Sequence, residues 1–305
     1  MFKNILLLLA CMASLHTVAQ DTDFREYNSS KINLNPAFAG SDSAFVLSSA
    51  NKFHPGDSFE RSNSFFFSAD NYFHFLRGGL AIRYENIRNW GGRSKTNQVH
   101  LSYASHFELF KHKLAIQPAF EVGVFQNVER FSFIAPDGST TQTPGPDPQI
   151  PWSGYKKNNI DFSAGLLLFT KRFYGGLALH HINTPEYRLF SYQSLPIRYT
   201  VHAGANLTAG NFILSPNILI MSQQDYYNYI QIGLRTKYKM LTFGLDYVAM
   251  DNIIPEIGLQ NRFFKLSYSY SYIVDTYGVN PATHELHFNW FFKHKNKKQL
   301  SLRMI

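Results

Sequence analysis

The chain alternates apolar and polar positions over most of its length. In Leu286-His287-Phe288-Asn289-Trp290-Phe291-Phe292, the residues Leu286, Phe288, Trp290 and Phe292 fall on one face. In Leu266-Ser267-Tyr268-Ser269-Tyr270-Ser271-Tyr272, the same spacing sets tyrosine against serine. Successive side chains of a β-strand point to opposite faces, so each segment has one fatty, aromatic face and one small or polar face. Tyr199, Val201, Ala203, Ala205 and Leu207 alternate likewise with Thr200, His202, Gly204 and Asn206. Leu241, Phe243, Leu245 and Tyr247 do so with Thr242, Gly244 and Asp246. Period-2 runs bounded by turn residues predict fourteen strands, near 44–52, 62–70, 78–87, 97–107, 113–126, 159–170, 173–183, 198–208, 212–222, 226–238, 241–250, 253–261, 264–275 and 283–292. Strands of about ten residues cross a bilayer at a tilt, and an even count leaves both chain ends on one side. The expected fold is all-β, a transmembrane antiparallel β-barrel of about 14 strands with a short N-terminal periplasmic segment.

The connections add an asymmetry. Lys171-Arg172, Ala209-Gly210-Asn211 and Lys239-Met240 are tight turns, while 53–61, 88–96, 127–158 and 184–197 are longer. Short periplasmic turns and long outer loops are usual in such barrels, although Gln223-Gln224-Asp225 and Met250-Asp251-Asn252 are short on the expected outer side. The longest loop carries Pro136, Asp137, Gly138, Pro144, Pro146, Pro148 and Trp152. Its prolines keep it out of a central ladder, so it is expected to fold over or into the barrel mouth. Gly78-Gly79 and Gly175-Gly176 each open a strand after an expected inner turn, a repeated way of starting a strand at a crowded rim.

The N-terminus sets the compartment. Lys3 precedes the apolar run Ile5 to Ala13, and Thr17-Val18-Ala19 precedes Gln20, the layout of a secretory signal peptide. Leu8-Leu9-Ala10-Cys11 also matches a lipoprotein box, a competing reading in which Cys11 carries lipid. The predicted division is 1–19 signal peptide, 20–43 periplasmic or plug segment, 44–292 barrel and 293–305 basic periplasmic tail. Beyond Ala19 no run of apolar residues is long enough for a transmembrane helix. Cys11 is the single cysteine, so disulfides and thiolate chemistry are not expected in a mature chain that lacks it. The formal charge of +8 falls largely on the tail and on scattered strand and loop positions. No basic helix or basic–aromatic module accompanies it, which argues against nucleic acid as a partner.

Catalytic readings must compete with the barrel wall. His180-His181 is expected to point to opposite faces of a strand, away from any shared metal. His100, His106, His112, His202 and His287 are isolated, and no serine sits in a nucleophile elbow. No enzyme activity, metal or cofactor is expected. Arg83, Glu85, Glu121, Asp161, Arg235 and Asp246 fall on lumen-side positions. They either line an ion path or pair into networks that fill a narrow interior, and the second reading is preferred. Tyr268, Tyr270 and Tyr272 offer a sugar platform or, more simply, a lipid-facing girdle.

One segment is unexplained by barrel physics. Asn33-Leu34-Asn35-Pro36-Ala37-Phe38-Ala39-Gly40-Ser41 precedes the first strand. Asn35-Pro36 biases it to a turn and Gly40 permits a positive φ. The motif Asn35, Pro36, Ala37, Phe38, Ala39, Gly40 resembles the Asn-Pro-Ala-aromatic-Ala-Gly signature of the PorP/SprF family, outer-membrane proteins of type IX secretion and gliding motility in Bacteroidetes. Phe173 to Asn183 and Pro196 to Tyr199 agree with it, whereas the lead-in Phe24-Arg25-Glu26-Tyr27-Asn28 departs from the family's longer Gln-x-x-Gln-Tyr-x-x-Asn.

The resemblance implies a non-enzymatic outer-membrane barrel that docks or surface-anchors an exported adhesin-like protein bearing a C-terminal type IX sorting domain. Implied partners are that protein, periplasmic type IX or peptidoglycan-associated components, and outer-membrane lipid. The outer loops 127–158 and 184–197 are expected to meet the exported partner, and residues 21–43 with the tail the periplasmic ones. The alternative is an outer-membrane transporter or porin for small or hydrophobic solutes.

Overall fold

The structure is a computed structural model, and it describes residues 30–42, 44–56, 61–129, 133–134, 140–141, 155–186, 194–224, 227–249, 252–273, 283–293 and 301–302. Fourteen strands form its wall. The first seven are β1 (Ala44–His54), β2 (Ser62–Phe73), β3 (Gly78–Asn89), β4 (Ser94–Ser105), β5 (Leu114–Glu129), β6 (Tyr155–Phe169) and β7 (Phe173–His180). The rest are β8 (Arg198–Ala205), β9 (Phe212–Gln223), β10 (Tyr227–Tyr238), β11 (Leu241–Val248), β12 (Asn252–Gln260), β13 (Phe264–Ile273) and β14 (Thr283–Lys293). Each pairs antiparallel with its sequence neighbours, and β14 closes on β1 from Ala44↔Lys293 to Phe53↔His284. Closure leaves no unpaired ladder to template aggregation.

The fourteen runs expected from the sequence coincide with these strands, and the differences at their ends have local causes. Phe107–Leu109 continues β4 and Leu207–Ala209 continues β8. The second break falls where the register sets Ala205 opposite Pro216, which has no N–H to give the ladder. β7 stops at His180 because His181 takes a left-handed φ of 59°.

Alternation works as the bilayer demands. Leu286, Phe288, Trp290 and Phe292 face outward on β14, as do Tyr268 and Tyr272 on β13, while Ser267, Ser269, His287 and Asn289 face inward and are buried. The tight connections, 74–77, 110–113, 170–172, 210–211, 239–240 and 261–263, lie on the side of both strand termini, Ala44 and Lys293. Arg77, Phe110, Lys111, His112 and Lys239 pay for that tightness with left-handed backbones. The other side carries 55–61, 130–154 and 181–197, so the termini mark the periplasmic side. On the outer side Glu186 bridges Ser194 and pairs with Lys157 of β6, so the two described arms of the 181–197 connection are joined to each other and tied to the wall through Glu186.

The interior is full. Inward polar side chains are closed to solvent along the described wall, Arg235 being 1% and Glu121 0% exposed. Part of the filling comes from residues ahead of β1. Of the basic tail expected after β14, residues 301–302 are described, and there the Leu302 N–H donates to Ser41 O at 2.8 Å with its side chain buried.

Candidate functional site

The residues before β1 fold into two short turns joined by one asparagine. A single helical turn, α1 (Lys31–Leu34), ends at Asn35, and a 3₁₀ turn (Pro36–Phe38) begins there. Pro36 suits the first helical position, where its missing N–H costs nothing. Asn35 Oδ1 caps the second turn by accepting from Ala37 N at 2.9 Å. Gly40 then takes a φ of 64° and passes so close to β3 that a Cβ on it would sit 2.5 Å from Gly79 Cα. This is why a glycine ends the motif.

The wall provides a seat of matching shape. A Cβ on Gly79 would meet Ala39 O at 2.1 Å, and one on Gly165 of β6 would meet Asn35 Oδ1 at 2.1 Å. Into the space so left, Asn35 Nδ2 reaches Leu177 O at 3.0 Å and Leu166 O at 3.3 Å, and lies 3.1 Å from His202 Nε2. Phe38 stacks on the His202 ring at 5.1 Å between centroids. Ile32, Leu34 and Phe38 share one apolar cluster with Leu167, Phe169 and Leu219 of the wall. Each buried side chain of this size contributes roughly 1.5–3 kcal/mol, so the apolar contacts rival the hydrogen bonds.

Charged groups fasten the upper end. Arg83 of β3 donates to Glu85 at 2.5 Å, to both Glu121 carboxylate oxygens at 2.8 and 3.2 Å, and to Asn33 Oδ1 at 3.1 Å. Ser102 Oγ donates to Glu121 at 2.6 Å, and His180 Nε2 lies 3.1 Å from Leu34 O. The lower end is tied by Gly40 N donating to Asp70 Oδ2 at 3.1 Å. Lys31 Nζ also reaches Ser41 Oγ at 3.3 Å. Segment 30–42 is thus a plug held at both ends and in its middle. Chemically it is a lock, and no nucleophile–base pair is aimed at a free space in it.

The expected site residues fall into three groups. The motif residues Asn35, Pro36, Ala37, Phe38, Ala39 and Gly40 converge on the lumen, all fully buried or nearly so, with a role for Asn35, Phe38 and Gly40 that the sequence alone did not assign. Pro136, Asp137, Gly138, Pro144, Pro146, Pro148 and Trp152 lie outside the described residues. The lumen charges pair: Arg83 with Glu85 and Glu121, Arg235 with Asp246 at 2.7 Å and Glu256 at 2.8 Å, and Asp161 with His181 at 3.0 Å.

One expectation is corrected. His180 and His181 do not point to opposite faces, since the left-handed backbone at His181 turns both side chains into the interior, where they are 1% and 5% exposed. They still serve different partners, Leu34 O and Asp161. Among the described residues no three of His, Cys, Asp and Glu gather at metal-binding spacing. Sequence reasoning missed His202, Gly165 and the small inward residues Ala81, Ala104 and Ala178. The available signal was small residues recurring on the polar face of neighbouring strands, which marks a wall that something approaches closely.

Comparison with known proteins agrees with this architecture. The family described as type IX secretion system membrane protein PorP/SprF matches residues 17–290. Among solved structures, the chain is similar to a TodX monoaromatic hydrocarbon channel deltaS2 mutant, at 10% identity and a TM-score of 0.53, over 87% of this chain and 94% of that one. It is also similar to the CymD monoaromatic hydrocarbon channel, at 9% identity and a TM-score of 0.50, over 88% and 94%. At such identities the likeness shows a shared barrel fold. No curated protein matches the chain.

Proposed function

This chain belongs to the PorP/SprF family of type IX secretion membrane proteins, and from that premise we propose that it is a docking barrel for an exported partner. It resides in the outer membrane as a β-barrel. The reading rests on one observation: the plug and the lumen ion pairs occupy the interior, so partners are met at the rims. At the outer rim the loops 127–158 and 184–197 would hold an adhesin-like protein with a C-terminal sorting domain. At the inner rim the plug is too deeply buried to serve as a first contact, Asn35 and Phe38 both being 0% exposed. Periplasmic components of the machine would therefore meet the tight turns and the tail. No step of this role needs catalysis, and a channel for small or hydrophobic solutes is the alternative that the same experiment tests.

That experiment is capture of the tagged barrel from native outer membrane, with and without residues 136–150. The expected outcome is a secreted protein with a sorting domain that accompanies the full barrel and is lost, by about tenfold or more, from the trimmed one. Unchanged co-purification from the trimmed protein would refute the loop assignment. A barrel that emerges alone and conducts in planar bilayers would establish the channel instead.

A further inference from the structure

The outward face of β2 to β6 is layered in a way that membrane spanning alone does not require. One cross-strand row is apolar: Phe67, Tyr84, Val99, Val124 and Ile160 are direct partners in turn. The next row outward is Phe65, Asn86, Asn97, Gln126 and Asn158, again in direct register. Its amides link sideways, Asn86 Nδ2 to Asn97 Oδ1 at 2.7 Å and Gln126 Nε2 to Asn158 Oδ1 at 3.0 Å. The row beyond that sets Asn63 opposite Arg88, and Arg88 opposite Lys95.

Like charges directly opposite on one sheet face repel. Among the described residues no carboxylate pairs with Arg88 or Lys95. Asn86 Oδ1 accepts from Arg88 Nε at 3.1 Å, which fixes the guanidinium and leaves its two terminal nitrogens to the groove. Asn63, Phe65, Tyr84, Asn86, Arg88 and Lys95 together line a groove of about 410 Å³. On β11 to β13 the last outward row among the described residues stays apolar, with Tyr247, Ile253 and Tyr272 in register.

We propose that this groove binds the phosphorylated headgroup of an outer-leaflet glycolipid. Its height is right, because the amide and cationic rows begin where the apolar belt ends, on the side away from the chain termini. The chemistry fits in three parts. A phosphate placed between Arg88 and Lys95 relieves their repulsion and accepts the paired N–H groups of the guanidinium fork. The amides of Asn63 and Asn86 suit sugar hydroxyls. Phe65 and Tyr84 continue into the apolar belt, where acyl chains lie. A lipid so held would fix one flank of the barrel in the leaflet.

The test is native mass spectrometry of the full-length barrel released in mild detergent, with diphosphoryl lipid A, its dephosphorylated form and inorganic phosphate as probes. Diphosphoryl lipid A should bind the wild type. The R88Q/K95Q variant should bind it about thirtyfold more weakly, and each single variant about fivefold. K239Q/R262Q, which removes two cations at the inner end, should bind as the wild type does. All variants are surface changes, and the heat-dependent shift of the folded barrel on gels verifies each. Equal binding by wild type and R88Q/K95Q would overturn the proposal, as would equal binding of dephosphorylated lipid A. Displacement of the lipid by equimolar inorganic phosphate would identify a simple anion site and overturn it too.

Discussion

Two buried arginines sit on opposite walls and solve one problem with different consequences. Arg83 on β3 and Arg235 on β10 each reach two carboxylates, one of them two strands away: Glu121 for Arg83, Glu256 for Arg235. Small inward positions let the side chains lie flat. A Cβ at Gly123 would strike the His100 ring at 2.2 Å, and one at Gly244 would lie 3.2 Å from Arg235 Cγ. Around Arg235 the partners Asp246 and Glu256, with Lys265 3.8 Å from Glu256, all belong to the wall. Arg83 spends a further donor on Asn33, a residue from outside the wall. The same ion cluster is therefore ballast on one side and a latch on the other. A buried ion pair adds little net stability over an apolar filling, whereas one that engages a segment outside the wall sets that segment's position.

Arg83→Met and Arg235→Met break this comparison most sharply. Each withdraws a buried guanidinium from two buried carboxylates, and each should lower the unfolding free energy of the reconstituted barrel by about 3–5 kcal/mol, read from urea titration. They should differ at the plug. With Ser41→Cys as reporter, maleimide labelling should rise strongly in the Arg83 variant and stay at the background level in the Arg235 variant. Equal labelling in both would show that Arg83 is no latch.

Asn35→Ala sharpens the comparison from the plug's side and should act more weakly on the barrel. The substitution removes the cap on Ala37 and the bonds to Leu166, Leu177 and His202, while wall charges stay paired. Each buried group left unsatisfied costs about 1–3 kcal/mol, so Ser41→Cys labelling should rise by about a hundredfold or more with unchanged barrel unfolding. Should labelling stay flat, the apolar contacts of Phe38 would be the true fastening and the asparagine a mere turn former.

The wall was legible because bilayer and lumen impose opposite demands at every second residue, and that constraint is local. Ser267 and Tyr268 declare their faces without reference to any other strand. Arg83, Glu121, Arg235 and Asp246 were recognisable as inward charges for the same reason, and their pairing followed from narrowness. The plug was not legible as a structure. Asn35 meets partners 131, 142 and 167 residues away, so its motif could be recognised as a string while its seat could not be located. His180-His181 misled because strand alternation ends where a residue turns left-handed, and histidine announces no such change. The proline-rich loop was read from composition alone, which fixes what it cannot be and leaves its shape open.

The smallest effect expected lies at the chain's other end and decides whether the latch has a second bolt. Leu302 N donates to Ser41 O, and its side chain joins the cluster of Leu34 and Phe38. Leu302→Ala keeps the backbone bond but removes apolar contact of about 2 kcal/mol. The change falls on a peripheral segment, so barrel unfolding should not shift. Ser41→Cys labelling should rise by about thirtyfold, less than in the Asn35 variant. If it does, the two ends of the chain meet on the plug, and a periplasmic partner that grips the basic tail would act on the lumen through Leu302. If labelling is unchanged while Arg83→Met releases the plug, the latch is worked from the wall alone, and the tail's contact with Ser41 is a resting place rather than a restraint.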